Sequence, residues 1–78
     1  MSDENIVFGV VLFYTSSSAL RAEKILHKSG LTVKLVPTPR QFSSDCGVAL
    51  RFDWNNESQV HALLSSAHVE ISSIHKLQ

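Results

Sequence analysis

A single cysteine, Cys46, among 78 residues excludes an internal disulfide and any redox cycle between two thiols of the same chain. A free thiol of this kind fits a reducing compartment. Net charge is lacking too: seven Lys and Arg balance seven Asp and Glu. That balance withholds the usual electrostatic support for a nucleic-acid partner. It also leaves little repulsion between copies, so a homodimer is physically accessible. The apolar stretch Ile6–Tyr14 is far too short to span a bilayer, which argues against a membrane role. The start Met1–Asn5 is polar and acidic and has no signal-peptide character, so a cytoplasmic location is expected. With three glycines there is no glycine-rich phosphate loop, and no paired-carboxylate site or Ser-His-Asp arrangement can be identified. His27, His61, His68 and His75 lack compact ligand spacing, so neither a metal nor a cofactor is expected.

What is present is 44% hydrophobic residues, enough for one core and one domain over 1–78, with an ordered part of about 6–77. Ile6–Tyr14 is β-branched and aromatic on both alternating faces, the pattern of an interior strand. Thr15 to Ser18 offers capping hydroxyls, and Ala19, Ala22, Ile25 and Leu26 then form a helical stripe closed by Gly30. Leu31–Val36 reads as a second strand stopped by Pro37 and Pro39, and Val48–Phe52 as a third with Arg51 on its other face. Asn56 and Gln59 have capping-box spacing ahead of the stripe Val60, Leu63, Leu64, Ala67. Val69–Leu77 completes the pattern as a strand whose broken period calls for a bulge near Ser72-Ser73. The order β-α-β-β-α-β predicts an α+β, ferredoxin-like sandwich: a four-stranded antiparallel sheet with two helices on one face. The apolar residues on the other face of the first strand suggest partial cover by another chain.

The connection between the second and third strands is longer than a hairpin requires, and excess loop length often serves function. It contains Pro37, Pro39, Arg40, Phe42, Ser43, Ser44, Asp45, Cys46 and Gly47. The prolines stiffen it. A thiolate at Cys46 would be a strong nucleophile whose population depends on its surroundings. Arg40 or Arg51 would favour the charged sulfur and Asp45 would disfavour it, while amides of the turn from Ser43 to Gly47 can form an anion-binding nest. Against this stands the plain alternative that a lone cysteine beside a strand is a small buried hydrophobe. The amides and hydroxyls of Ser16, Ser17 and Ser18 at the first helix start are a second candidate anion site, although most such runs merely cap. Strand directions place this turn and the cysteine loop at the same end of the sheet, with Arg21 perhaps within reach. Phe42 and Trp54 are aromatics able to stack on a ligand, but Trp54 suits a cover on the core better.

Three segments, Ser18-Ala19-Leu20-Arg21-Ala22-Glu23-Lys24, Val36-Pro37-Thr38-Pro39-Arg40 and Ser43-Ser44-Asp45-Cys46-Gly47-Val48-Ala49-Leu50-Arg51-Phe52, resemble the DUF3343 family over nearly the whole chain. These small bacterial proteins are described as selenium/sulfur carrier-like. The resemblance implies that Cys46 matches the chalcogen-carrying cysteine, with Arg40, Ser43, Ser44, Asp45, Gly47 and Arg51 around it. It implies, as partner, a TusA/YedF-like sulfurtransferase or another thiol-bearing protein. Two functions follow as expectations. One is a thiol-based carrier holding sulfur or selenium on Cys46, an accessory rather than a turnover enzyme. The other is a non-catalytic binding or regulatory module in which the proline-arginine loop docks and Cys46 only packs.

Overall fold

The computed structural model describes residues 6–42 and 47–77. The loop segment 43–46, Cys46 included, lies outside the described residues. Four strands, β1 (Phe8–Leu12), β2 (Val33–Pro37), β3 (Val48–Asp53) and β4 (Ser73–Lys76), form one antiparallel sheet in the order β2-β3-β1-β4. Helices α1 (Ser16–Lys28) and α2 (Glu57–Ser66) join β1 to β2 and β3 to β4, with a short 3-10 turn at Trp54–Asn56 before α2. The fold is ferredoxin-like, as the element order predicts, and β1 is an interior strand paired on both sides.

The two faces of β1 belong to two separate apolar clusters. Val11 and Phe13 join Ala19, Ala22 and Leu26 of α1, Val60 and Leu64 of α2, and Leu50 and Phe52 of β3 in the main core. The alanines let α1 lie close against the sheet, since each removes the bulk that would hold the layers apart. Val10 and Leu12 point the other way, with Ala49, and are covered by Val36, Phe42 and Leu77. All three are buried, Leu12 at 2% exposure and the other two at 0%. The face expected to need another chain is therefore covered from within this one.

Helix ends follow the sequence at α1 and depart from it at α2. Thr15, in extended backbone, caps α1 by accepting from the Ser18 amide at 3.2 Å. The helix closes with Gly30 at φ 85°, its amide donating to the His27 carbonyl at 3.0 Å and the Leu31 amide to Leu26 at 3.0 Å, a Schellman closure. The same closure ends α2, where the Val69 amide donates to Leu64 at 3.0 Å and the His68 amide to Ser65 at 3.1 Å. His68 occupies the left-handed position at φ 59°, beyond the helix rather than on it. The Asn56/Gln59 capping box does not form. Asn56 has φ −99° and ψ 12°, which is not the extended geometry of a capping residue, and its side chain makes no cap bond. Asp53 caps one turn earlier, accepting from the Asn55 amide at 2.9 Å.

The last strand is shorter than the pattern implies and needs no bulge. Val69 belongs to the closure of α2, Ile71 packs onto the core from irregular chain, and pairing starts only where the Ser72 amide donates to the Leu12 carbonyl at 2.7 Å. Two structures in succession produced the two apparent phases. At Gly9 the space belongs to Trp54, which stacks on Phe52 at 5.9 Å between ring centroids. A Cβ at Gly9 would stand 2.5 Å from Trp54 Cε3 and 2.7 Å from Phe52 Cζ.

Gly9→Ala should therefore lower unfolding free energy by about 1–3 kcal/mol, the usual cost of overpacking, in urea denaturation. His68→Gly should act oppositely. Relief of the left-handed strain, less the glycine's extra unfolded-state freedom, predicts a gain of about 0.5–1 kcal/mol by the same measurement.

Candidate functional site

Strand direction brings the candidate segments to one end of the sheet. β1 and β2 both run antiparallel to β3, so they leave the sheet on the same side. In register, Leu12 and Val36 both face Ala49, and Pro37 faces Val48. The start of α1, the connection 38–47 and the entry to β4 at Ser73, which pairs with Leu12, thus share that end. The Ser16-Ser17-Ser18 turn and the cysteine loop leave the sheet together, as the strand count anticipates. At the turn, Ser16 and Ser17 are exposed, and the Thr15 hydroxyl donates to Ser18 Oγ at 3.1 Å. Tyr14 and Leu20 beside it are 49% and 51% exposed.

The connection 38–47 is closed at its neck by the Thr38 amide donating to the Gly47 carbonyl at 3.2 Å. Beyond it the chain turns back, with the Phe42 amide donating to the Pro39 carbonyl at 3.0 Å. Arg40 is exposed on this turn. Gly47 is exposed, and a Cβ built on it meets no atom within 4 Å. Phe42 is not offered to a ligand. Its ring stacks on His75 of β4, with centroids 4.2 Å apart and planes 18° apart. His75 Nε2 is in turn hydrogen-bonded to Ser73 Oγ at 2.9 Å. Ser43, Ser44, Asp45 and Cys46 are site candidates that lie outside the described residues.

Two arginines proposed for the site are occupied elsewhere. The Arg51 guanidinium sits over the Phe8 ring, 4.3 Å from its centroid. Phe8 pairs with Asp53, at the end of β1 away from the connection 38–47. Four strand steps separate Arg51 from Gly47, or about 13 Å. Across that distance a unit charge in water is worth only about 0.3 kcal/mol, and salt screens it further. Arg21 donates to the Ala67 carbonyl at 3.0 Å and so serves the C-terminal end of α2, on the helix layer. It does not reach toward the loop. Among the described residues, Arg40 is the arginine on the connection itself.

The family described as Putative Se/S carrier protein-like matches residues 8–76. The chain belongs to this family. Its matched span takes in β1 through β4 and the whole connection 38–47, and membership supports a general role in carrying selenium or sulfur. No curated protein and no solved structure matches the chain. Among the described residues of this carrier-family protein, no three His, Cys, Asp or Glu side chains stand together as a metal site. No described helix is long and apolar enough to cross a membrane.

Sequence reasoning named Phe42 only as an aromatic free to stack on a ligand and missed Ser73 and His75 as its support. The signal was available in principle: His75 and Leu77 alternate with Ile74 on β4, as residues on opposite faces must. Phe42→Ala would uncover Val10, Leu12 and Ala49. Its expected cost is about 2–4 kcal/mol, read from denaturation midpoints at unchanged slope.

Proposed function

We propose that the protein carries sulfur or selenium as a covalent adduct on Cys46. The observation that carries this reading is the carrier-family match over residues 8–76, a span that encloses the chain's single thiol. The chemistry asks little else of the chain. The Cys46 thiolate attacks the outer sulfur of a donor persulfide. A sulfur–sulfur bond forms at Cys46, the donor's own sulfur–sulfur bond breaks, and its electron pair leaves with the donor thiolate. An acceptor thiolate then attacks the carried sulfur and releases Cys46 in the same way, so no oxidant or reductant is consumed. Selenium in place of the transferred atom follows the same course.

One thiol suffices because donor and acceptor each bring their own. A TusA/YedF-like sulfurtransferase or another thiol-bearing protein is the expected partner. Exposed Tyr14 and Leu20, at the sheet end that the connection 38–47 shares, supply apolar surface for such docking. Arg40 is the cation assigned to favour the charged sulfur, and the amides of the Ser43–Gly47 turn are assigned to orient the carried atom. Arg51 is left out of that set because its guanidinium is held over Phe8.

Intact-mass measurement after exposure to a persulfide-loaded cysteine desulfurase tests the reading. The folded protein should gain one sulfur, lose it to an added acceptor thiol, and gain none as Cys46→Ser. Arg40→Gln should slow uptake roughly threefold, the scale of one exposed charge pair, whereas Arg51→Gln should leave it unchanged. A folded wild-type protein that gains no sulfur or selenium from such donors would sink the carrier function.

A further inference from the structure

We propose that His75 is a positioning residue for the cysteine-bearing connection, acting through its stack with Phe42. The inference rests on the carrier reading for its chemical consequence and on described side chains for its geometry.

A hairpin between β2 and β3 needs two to five residues, and this one uses 38–47. The extra length has a destination. From the β2 edge to β4 the sheet is three strand spacings wide, about 14 Å. Five residues of extended chain reach at most about 17 Å, so a route from Pro37 to a ring over β4 needs nearly all of residues 38–42 plus the Phe42 side chain. The chain makes that crossing. Phe42 lands on His75, at the opposite edge of the sheet from where the connection began.

His75 is itself fixed. It pairs in register with Val10, its ring nitrogen is hydrogen-bonded to Ser73 two residues earlier, and it is half-buried. A flat ring held in one orientation and stacked at 4.2 Å gives Phe42 a geometric constraint that aliphatic packing on Val10 and Leu12 would not supply. The connection is thus fastened at two points, the Thr38–Gly47 backbone bond and the Phe42–His75 stack. Both lie within five residues of Cys46 in sequence on the connection side. Holding a reacting atom in place lowers the barrier to its transfer, and misplacement of about 1 Å can cost roughly a hundredfold.

The test compares His75→Ala, His75→Phe, Phe42→Leu and wild type, each at a denaturant-free condition where circular dichroism shows it folded. His75→Ala removes the stacked ring, His75→Phe restores a ring, and Phe42→Leu keeps apolar cover without an aromatic. Two rates are read per folded molecule: sulfur uptake from a persulfide-loaded desulfurase, and Cys46 alkylation by iodoacetamide. The expected result is a fall in uptake of roughly tenfold in His75→Ala and Phe42→Leu, recovery in His75→Phe, and alkylation rates in the first two moved toward that of the urea-unfolded chain. A purely structural role would lower the denaturation midpoint and leave both rates unchanged, which would overturn the proposal. If wild type takes up no sulfur, the carrier reading fails, and the alkylation rates alone decide: a shift in His75→Ala that His75→Phe reverses upholds the positioning role, and no shift rejects it.

Discussion

β1 must bury both of its faces, and the rest of the molecule is arranged around that requirement. Val11 and Phe13 go under the two helices; Val10 and Leu12 are on the side the helices do not cover. Leaving those two side chains in water would forgo on the order of 3–5 kcal/mol, a large share of the stability of a small domain. With both helices already on one face, the cover has to come from irregular chain. Val36 and Leu77 approach from the flanking strands, and Phe42 closes the gap between them. The long connection 38–47 is therefore part of the fold as well as the carrier of the thiol. That double duty sets the cysteine-bearing segment between a hydrogen-bonded neck and a packed ring.

The same strand order decides which residues meet. In the order β2-β3-β1-β4, the two strands that begin each half of the chain are central and both helix crossovers skip a strand. β1 and β2 then run in parallel directions, and the residues that follow each of them emerge at one end. The hydroxyl-rich start of α1 comes to the same rim as the connection 38–47, although more than twenty positions separate them in sequence. Proximity in sequence is the poorer guide here. Arg51 is five residues from Cys46, yet β3 carries it toward the opposite rim, where Phe8 takes its guanidinium.

Much of this architecture is legible in the residues, because burial periodicity and caps are local. The alternation of Val48, Leu50 and Phe52 against Arg51, the alanine stripe of α1, Thr15 as its cap and Gly30 at its close all appear where the pattern puts them. The misreadings share one cause, which is that a side chain's partner is settled by tertiary placement. Asn56 has the right spacing for a cap, but the 3-10 turn begun by Asp53 already satisfies the helix start. Val69 and Ile71 look like strand residues because they are apolar, whereas they close α2 and pack on the core before β4 begins. Arg21 has the sequence position to approach the loop, but the carbonyl of Ala67, an unsatisfied acceptor at a helix end, holds it on the other layer.

The candidate site was legible in a different sense, through residue identity rather than pattern. A chain with one thiol can place its chemistry in one segment only, and family membership over residues 8–76 gives that segment its reading. What the sequence did not disclose is how such a segment gains a defined position without a second cysteine, a metal or a helix of its own. The answer available in the fold is an aromatic anchor. Phe42 is one turn of irregular chain from the thiol, and it is held by a ring on the last strand, a contact between residues 33 positions apart. No periodicity links those two residues. Their meeting depends on the sheet order alone, because β4 lies beside β1 only when both crossovers skip a strand. The placement of the working loop is in this way a consequence of the global topology, and a change at the C-terminal strand should be felt at a loop that precedes it by a whole β-α unit.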